Sequence, residues 1–180
     1  MSDTEGNLEK VKGTFAQGRV VAEHRGAAKA LHTKSRFGEV KDDKVNYSFI
    51  EAFYLFEQNK LEIKEGRKKV TKKQLLQRAE QKEKNFWVRY CVFRELRSRG
   101  YIVKTALKFG ADFRVYDKGV KPGEDHARWI VFPVKESETL TWYELSAKNR
   151  VAHSTRKHLL IGVVDEEDDV TFYESQWIRP

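Results

Sequence analysis

The chain has 180 residues, 39% of them hydrophobic, which predicts a packed core and excludes a disordered protein. Its 35 basic and 27 acidic residues give a net charge of +8, which favours a polyanionic partner such as nucleic acid, although many basic proteins bind none. A single cysteine excludes an intrachain disulfide framework and a cysteine-based zinc site. With no signal-peptide pattern and no apolar run of transmembrane length, we expect a cytoplasmic protein that contacts no membrane.

Residues 1–84 predict a small mixed α/β domain. Hydrophobic periodicity predicts β-rich segments at 13–15, 19–21, 37–40 and 61–63, and helices at 27–33, 49–59 and 71–79. Ser48 and Thr71 stand where the second and third helices begin and are favourable N-caps for them. The charged segment 82–85 separates two apolar patterns, so we place the domain boundary after residue 84.

Residues 85–180 predict an α/β domain with a central mixed sheet flanked by helices. The pattern begins with a helix at 85–98, which Gly100 terminates. Strands are predicted at 101–105, 111–116, 127–134, 159–164 and 170–177, with a helix at 141–156 before the fourth strand. An acidic loop, residues 165–169, precedes the last strand.

Three residues of this second domain carry side chains suited to RNA cleavage. Tyr116 ends a predicted strand, His126 precedes one, and Lys157 ends the predicted helix. Cleavage without a metal needs a base for the 2′-hydroxyl, an acid for the leaving oxygen and a cation for the phosphorane. An imidazole suits the acid and an ammonium suits the cation. A phenol is a weaker base, and neighbouring cations such as Lys157 and Arg114 would favour its phenolate form.

Each of the three residues also has an ordinary structural explanation when taken alone. A tyrosine at a strand end is most often packing, a histidine before a strand is usually a turn residue, and a lysine at a helix C-terminus stabilises the helix dipole. Their joint placement favours function, because two strand ends and a helix end can converge on one edge of a sheet. No Gly-rich phosphate loop is present, and His24, His32, His153 and His158 have no partners at metal-ligand spacing. We therefore predict no cofactor and no metal site.

Three segments resemble the archaeal tRNA-splicing endonucleases: GYIVKTALKFGADFRVY at 100–116, VAHSTRK at 151–157 and, more weakly, YLFE at 54–57. The resemblance implies cleavage of precursor tRNA at exon–intron junctions within a bulge–helix–bulge. It also implies that no metal takes part and that the products carry 2′,3′-cyclic phosphate and 5′-hydroxyl ends. In this scheme Tyr116 is the general base, His126 the general acid and Lys157 the residue that stabilises the transition state.

The resemblance also implies an arginine pair that sandwiches a flipped bulge base, for which Arg150 and Arg179 are the candidates. It further implies a tetramer, either of one chain or with a non-catalytic partner. A loop of five acids in a basic protein suits docking on a neighbouring subunit, and these residues are Asp165, Glu166, Glu167, Asp168 and Asp169. The last strand would leave an apolar edge exposed unless a second copy paired with it. For the acidic loop, the alternative is a solvated turn. For the chain as a whole, the alternatives are a non-catalytic RNA-binding or structural subunit and a metal-dependent nuclease.

Overall fold

The computed structural model describes residues 9–16, 18–106, 110–123 and 125–178. The chain divides into two compact units, Met1–Lys84 and Asn85–Pro180. Within the described residues, no helix is both long and apolar enough to cross a lipid bilayer.

Unit 1 is a mixed sheet with three helices among its described residues. Its strands are β1 (Val11–Ala16), β2 (Arg19–Glu23), β3 (Glu39–Lys41), β4 (Lys44–Tyr47), β5 (Leu61–Glu65) and β6 (Lys68–Lys69). Its helices are α1 (Gly26–Ser35), α2 (Phe49–Glu57) and α3 (Lys72–Lys82). The strand order is β3-β4-β2-β1-β5-β6, and β1 and β5 run parallel while the other neighbours are antiparallel.

Local sequence signals explain where these elements begin. The side chains of Ser48 and Thr71 each accept from the backbone of the third residue of the following helix, and both form complete capping boxes. The β3–β4 hairpin turns through Asp42 and Asp43, which both have positive φ, as a two-residue type I′ turn requires. Strand β6 was not predicted, because both of its residues are exposed lysines and no alternating pattern marks it.

Unit 2 is a five-stranded mixed sheet, as far as its described residues go, with a helix on each face. Its helices are α4 (Phe86–Ser98) and α5 (Trp142–Ser154). Its strands are β7 (Ile102–Thr105), β8 (Phe113–Tyr116), β9 (Trp129–Lys135), β10 (His158–Val164) and β11 (Val170–Ser175). The order is β11-β10-β9-β8-β7, with β9 and β10 parallel and the other pairs antiparallel. The predicted mixed α/β fold is therefore confirmed.

The two helices of unit 2 bury opposite faces of this sheet. On the α4 face, the ring of Phe93 lies 5.9 Å from that of Phe113, and a Cβ added to Gly162 would lie 2.8 Å from Val92. On the α5 face, Ile130, Leu159 and Ala152 belong to one buried cluster. A glycine at position 162 thus lets α4 pack closely against the middle of β10.

Candidate active site

The sheet topology of unit 2 brings three chain ends to one end of the sheet. Strand β8 finishes with Tyr116 where β9 starts, because the two strands are antiparallel and Val115 pairs with Trp129. Strand β10 starts at the same level, because it is parallel to β9 and His158 pairs with Trp129. The end of β8, the segment before β9 and the segment before β10 are therefore neighbours.

Main-chain hydrogen bonds through Arg128 fix this alignment. The N–H of Arg128 donates to the carbonyl oxygen of Val115 over 2.9 Å, and the carbonyl oxygen of Arg128 accepts from the N–H of His158, also over 2.9 Å. Tyr116 follows one of these partners in the chain and Lys157 precedes the other. The predicted base and the predicted cation therefore flank the strand that His126 precedes.

Tyr116 is held firmly by packing. Its side chain is 4% exposed and forms a small cluster with Ile102 and Ala127, against which Val120 packs. The guanidinium carbon of Arg114 lies 6.0 Å from the centroid of the Tyr116 ring. The phenol thus has a fixed position with a cation beside it.

His126 is exposed and lies in the segment between β8 and β9. Its backbone N–H donates to the Asp125 carboxylate over 2.6 Å, and its neighbour Ala127 is buried against Tyr116. An ion pair of 3.4 Å between Asp117 and Arg128 joins the two ends of the segment. The imidazole is therefore accessible to a large substrate while the chain on its C-terminal side is anchored.

Lys157 is delivered by the end of helix α5. Arg156 has φ of +56°, its N–H donates to the carbonyl oxygen of His153, and the Lys157 N–H donates to that of Ala152. This pair of bonds is a Schellman motif, with an arginine at the left-handed position that glycine usually occupies. The motif ends the helix and turns the chain directly into β10.

The ammonium of Lys157 is half-buried and donates to the carbonyl oxygen of Thr155 over 2.8 Å. Burial, and secondly the positive charge of Arg114, lower the pKa of Lys157 from its ordinary value. Arg114 thus acts on both residues: its guanidinium lies over the Tyr116 ring and its charge lowers the pKa of Lys157.

A cleft of about 230 Å³ opens beside Lys157. It lies between the last turns of α5 and the end of β11, and its lining residues are Asn149, Ala152, His153, Arg156, Lys157, His158, Ser175, Gln176 and Trp177. The indole of Trp177 is 52% exposed, and the His153 ring meets it edge-on with centroids 4.6 Å apart. The sequence did not predict Trp177 as a binding residue. Its one signal there is that an aromatic side chain ends the last predicted strand, 170–177, whereas β11 ends at Ser175.

Of the two predicted base-clamping arginines, Arg150 lies among the described residues. Arg150 is exposed on α5, seven residues before Lys157, and Lys148 on the same helix lies over the Phe132 ring at 4.2 Å. Arg150 is thus free to meet a substrate from the solvent side of α5. Arg179 lies outside the described residues.

The acidic loop is tied to its own unit through Asp165 and Asp168. Asp168 accepts a 2.7 Å hydrogen bond from the Trp87 indole, and its carbonyl oxygen accepts from Arg94 over 3.1 Å. The Asp165 carboxylate accepts from two backbone N–H groups of the loop. Burial, and secondly the negative charge of Asp168, raise the pKa of the Cys91 thiol to about 12. The acids that remain exposed are Glu166, Glu167 and Asp169.

A network of polar side chains lies on the α4 face of the sheet, at the end where β9 and β10 begin. Glu174 accepts from the Trp129 indole over 2.7 Å and pairs with His158 over 3.1 Å. These contacts, the Trp129 hydrogen bond first, lower the pKa of Glu174. The network joins β9, β10 and β11 immediately next to Lys157 and so stiffens its attachment.

These groups suit acid–base chemistry on a phosphodiester. The buried Tyr116 ends β8, the exposed His126 precedes β9 and the half-buried Lys157 precedes β10, and of the three only Lys157 lines the cleft. In the described part of the chain, no three side chains of the types His, Cys, Asp and Glu cluster as a metal site would require.

Comparisons with known proteins identify the family. Residues 11–76 match the model of the tRNA intron endonuclease N-terminal domain, and residues 86–172 match that of the tRNA intron endonuclease catalytic C-terminal domain. The tRNA-splicing endonuclease of Nanoarchaeum equitans is 46% identical over 145 residues, which cover 77% of this chain and 92% of the relative. The tRNA-splicing endonuclease of Thermococcus gammatolerans is 38% identical over 161 residues, which cover 89% of this chain and 94% of the relative. That of Methanothermobacter thermautotrophicus is 37% identical over 171 residues, which cover 95% of this chain and 99% of the relative. The chain therefore belongs to the tRNA intron endonuclease family of enzymes.

Proposed function

We propose that this chain is a catalytic subunit that cleaves precursor tRNA at exon–intron junctions within a bulge–helix–bulge. The observation that carries the proposal is the register of β8, β9 and β10, which aligns the ends bearing Tyr116, His126 and Lys157. Membership of the family supports the substrate class. The products are a 2′,3′-cyclic phosphate and a 5′-hydroxyl, and the reaction takes place in the cytoplasm.

The reaction is an internal transesterification in which RNA supplies its own nucleophile. Tyr116 accepts the proton of the 2′-hydroxyl, and the 2′-oxygen forms a bond to the adjacent phosphorus. The bond between phosphorus and the 5′-oxygen breaks, and His126 gives its proton to that leaving oxygen. Lys157 stabilises the additional negative charge of the pentacoordinate phosphorane.

The environments of the three residues support these roles. The buried ring of Tyr116 is held in a fixed position by its packing against Ile102 and Ala127. The exposed ring of His126 can reach an RNA strand that lies on the surface. Lys157 is partly removed from water, where its attraction to a phosphorane is stronger than in bulk solvent.

RNA binding on the α5 side is part of the proposal. Arg150 contacts a flipped base of the bulge by stacking, with Arg179 as the second member of the pair. The cleft beside Lys157 adds the partly exposed indole of Trp177, whose face every base can stack on. The net charge of +8 supports the phosphate contacts that such binding needs.

We further propose that the chain works as a tetramer, either of identical subunits or with a non-catalytic partner. A bulge–helix–bulge has two cleavage points, and one chain offers a single set of the three residues. Among the described residues, β11 pairs only with β10, so its other edge is open to a second copy. The exposed acids Glu166, Glu167 and Asp169 provide a negative surface for a basic neighbour.

The experiment that tests the proposed activity is incubation of the purified chain with a labelled bulge–helix–bulge RNA, followed by denaturing electrophoresis. We expect cleavage at both junctions in excess chelator. A chain that binds this RNA without cleaving it would instead be a non-catalytic subunit, and cleavage that chelator abolishes would indicate a metal-dependent nuclease.

A further inference from the structure

Arg114 is a cation on β8 that has no part in the roles proposed for Tyr116, His126 and Lys157. It lies on β8 two residues before Tyr116, so the two side chains project from the same face. The residue is half-buried, and its Nε atom is buried with no hydrogen-bond partner among the described residues. A buried guanidinium nitrogen without an acceptor carries a desolvation cost that a ligand could offset.

Two of the neighbours of Arg114 on this face, Lys104 and Lys157, are also positive. Lys104 on β7 is its cross-strand partner, and like charges placed directly opposite each other destabilise a strand pair. The charge of Arg114 contributes, after burial, to the lowered pKa of Lys157, so the two cations are close enough to repel. A fold that keeps these groups together is suited to hold an anion between them.

The described carboxylates nearest to Arg114 in the sequence are engaged elsewhere. Asp112 pairs with Arg89 of α4 at 2.7 Å, and Asp117 pairs with Arg128 at 3.4 Å. The guanidinium lies instead over the Tyr116 ring, on the side of the sheet where Lys157 enters. Arg114 is therefore not neutralised by either of these carboxylates and lies beside the proposed general base.

We propose that Arg114 is a second phosphate-binding residue of this site, whose guanidinium donates to both non-bridging oxygens of the scissile phosphate. The proposal rests on the proposed function. A planar guanidinium presents paired N–H donors that match two phosphate oxygens, whereas the Lys157 ammonium acts as a single point of charge. Arg114 holds the phosphate in the ground state, and its hydrogen bonds strengthen as the phosphorane gains negative charge.

Single-turnover cleavage by Arg114→Met is the first test. The variant keeps the length of the side chain and loses the donors, and we expect cleavage to slow by about 10²-fold. Lys135→Gln is the matched control, because this exposed lysine lies at the opposite end of β9 and its loss lowers the net charge equally. We expect this control to cleave at the wild-type rate. Wild-type cleavage by Arg114→Met would overturn the proposal.

Phosphorothioate substrates show whether Arg114 touches the phosphate or acts through Tyr116. Sulfur in place of either non-bridging oxygen should slow cleavage by the wild-type protein. We expect this loss of rate to be smaller in Arg114→Met, because the variant already lacks the hydrogen bonds to those oxygens. An Arg114→Met variant that is slow but keeps the full wild-type sulfur penalty at both positions contradicts the contact.

Two further comparisons keep the test decisive. Arg114→Lys keeps the charge and loses the paired donors, so we expect a reduced sulfur penalty at one of the two positions. Thermal melts show whether Arg114→Met folds. If it does not, an unchanged cleavage rate and unchanged sulfur penalties in Arg114→Lys would still overturn the proposal. Failure of the wild-type chain to cleave any bulge–helix–bulge RNA would refute the proposed function instead, so the two failures are distinguishable.

Discussion

The N–H of His158 donates to the carbonyl oxygen of Arg128 over 2.9 Å, and this bond joins the strand that follows Lys157 to the strand that follows His126. Because Arg128 also donates to Val115, a single residue aligns three strands at the sheet end where Tyr116 lies. Sheet register thus sets where the chain at Tyr116 and at Lys157 lies, whereas His126 belongs to the segment between β8 and β9.

Replacement of His126 by Ala should slow cleavage by roughly 10²–10⁴-fold while RNA binding stays close to that of the wild type, because the acid acts only on charge that develops during reaction. Lys157→Ala should behave similarly, and Tyr116→Phe should lose less, since water can partly replace a base. Single-turnover rates and filter binding with an uncleavable 2′-deoxy substrate measure the two effects. His32→Asn, at a histidine of α1 in unit 1, serves as control, and an equal loss in it would remove the special role of His126.

Cleavage should depend on the protonation of Lys157 at alkaline pH. The lowered pKa of Lys157 means that its ammonium loses a proton at lower pH than an ordinary lysine, so its contribution falls as pH rises through that value. Lys157→Arg stays charged throughout, because the guanidinium does not deprotonate in this range. The ratio of wild-type to Lys157→Arg rates should therefore decrease with increasing pH. A ratio that is flat across the alkaline range would contradict a role for the ammonium.

Arg150→Ala should weaken cleavage of bulged RNA by disturbing one stacked base, which corresponds to about 1–3 kcal/mol. An RNA with an abasic site at the bulge provides the control, since it removes the base that Arg150 would contact. We expect the penalty of the variant to disappear on this RNA. If Arg150→Ala cleaves the intact bulged RNA as fast as the wild type does, Arg150 is only a solvated residue of α5.

The acidic loop should have two separable roles. Replacing Glu166, Glu167 and Asp169 together by Gln, Gln and Asn removes exposed charge, and we expect smaller complexes and less cleavage with little change in thermal stability. Asp168→Ala breaks the hydrogen bond from Trp87, so we expect it to lower the free energy of unfolding by about 1–3 kcal/mol. Light scattering and thermal melts distinguish the two. A triple variant with an unchanged oligomer and full activity would refute the docking role.

Local signals in the sequence predicted most of the elements. Ser48 and Thr71 identified two helix starts through their capping chemistry, and the alternation at 111–116 identified β8. The strand order and the parallel pairing of β9 with β10 could not be read this way, because pairing depends on contacts between distant segments.

The sequence was enough to propose residues for the candidate site but not to predict their geometry. Tyr116, His126 and Lys157 were proposed from their residue types and from their positions relative to the elements. The partner of Asp168 is 81 positions away at Trp87, and the Schellman turn before Lys157 uses Arg156 where a glycine would have been the signal. The sequence marks Arg114 only as a cation near Tyr116, and the phosphate contact proposed for it follows from which side chains share its face.

The most direct test of metal-free cleavage by this chain is the analysis of product ends from a bulge–helix–bulge RNA incubated with the wild-type protein in excess chelator. We predict cleavage at both junctions, with 2′,3′-cyclic phosphate on one fragment and 5′-hydroxyl on the other, and about 10²–10⁴-fold slower cleavage by His126→Ala under the same conditions. Fragments with 3′-hydroxyl and 5′-phosphate ends, or no cleavage until a divalent metal is restored, would contradict the account.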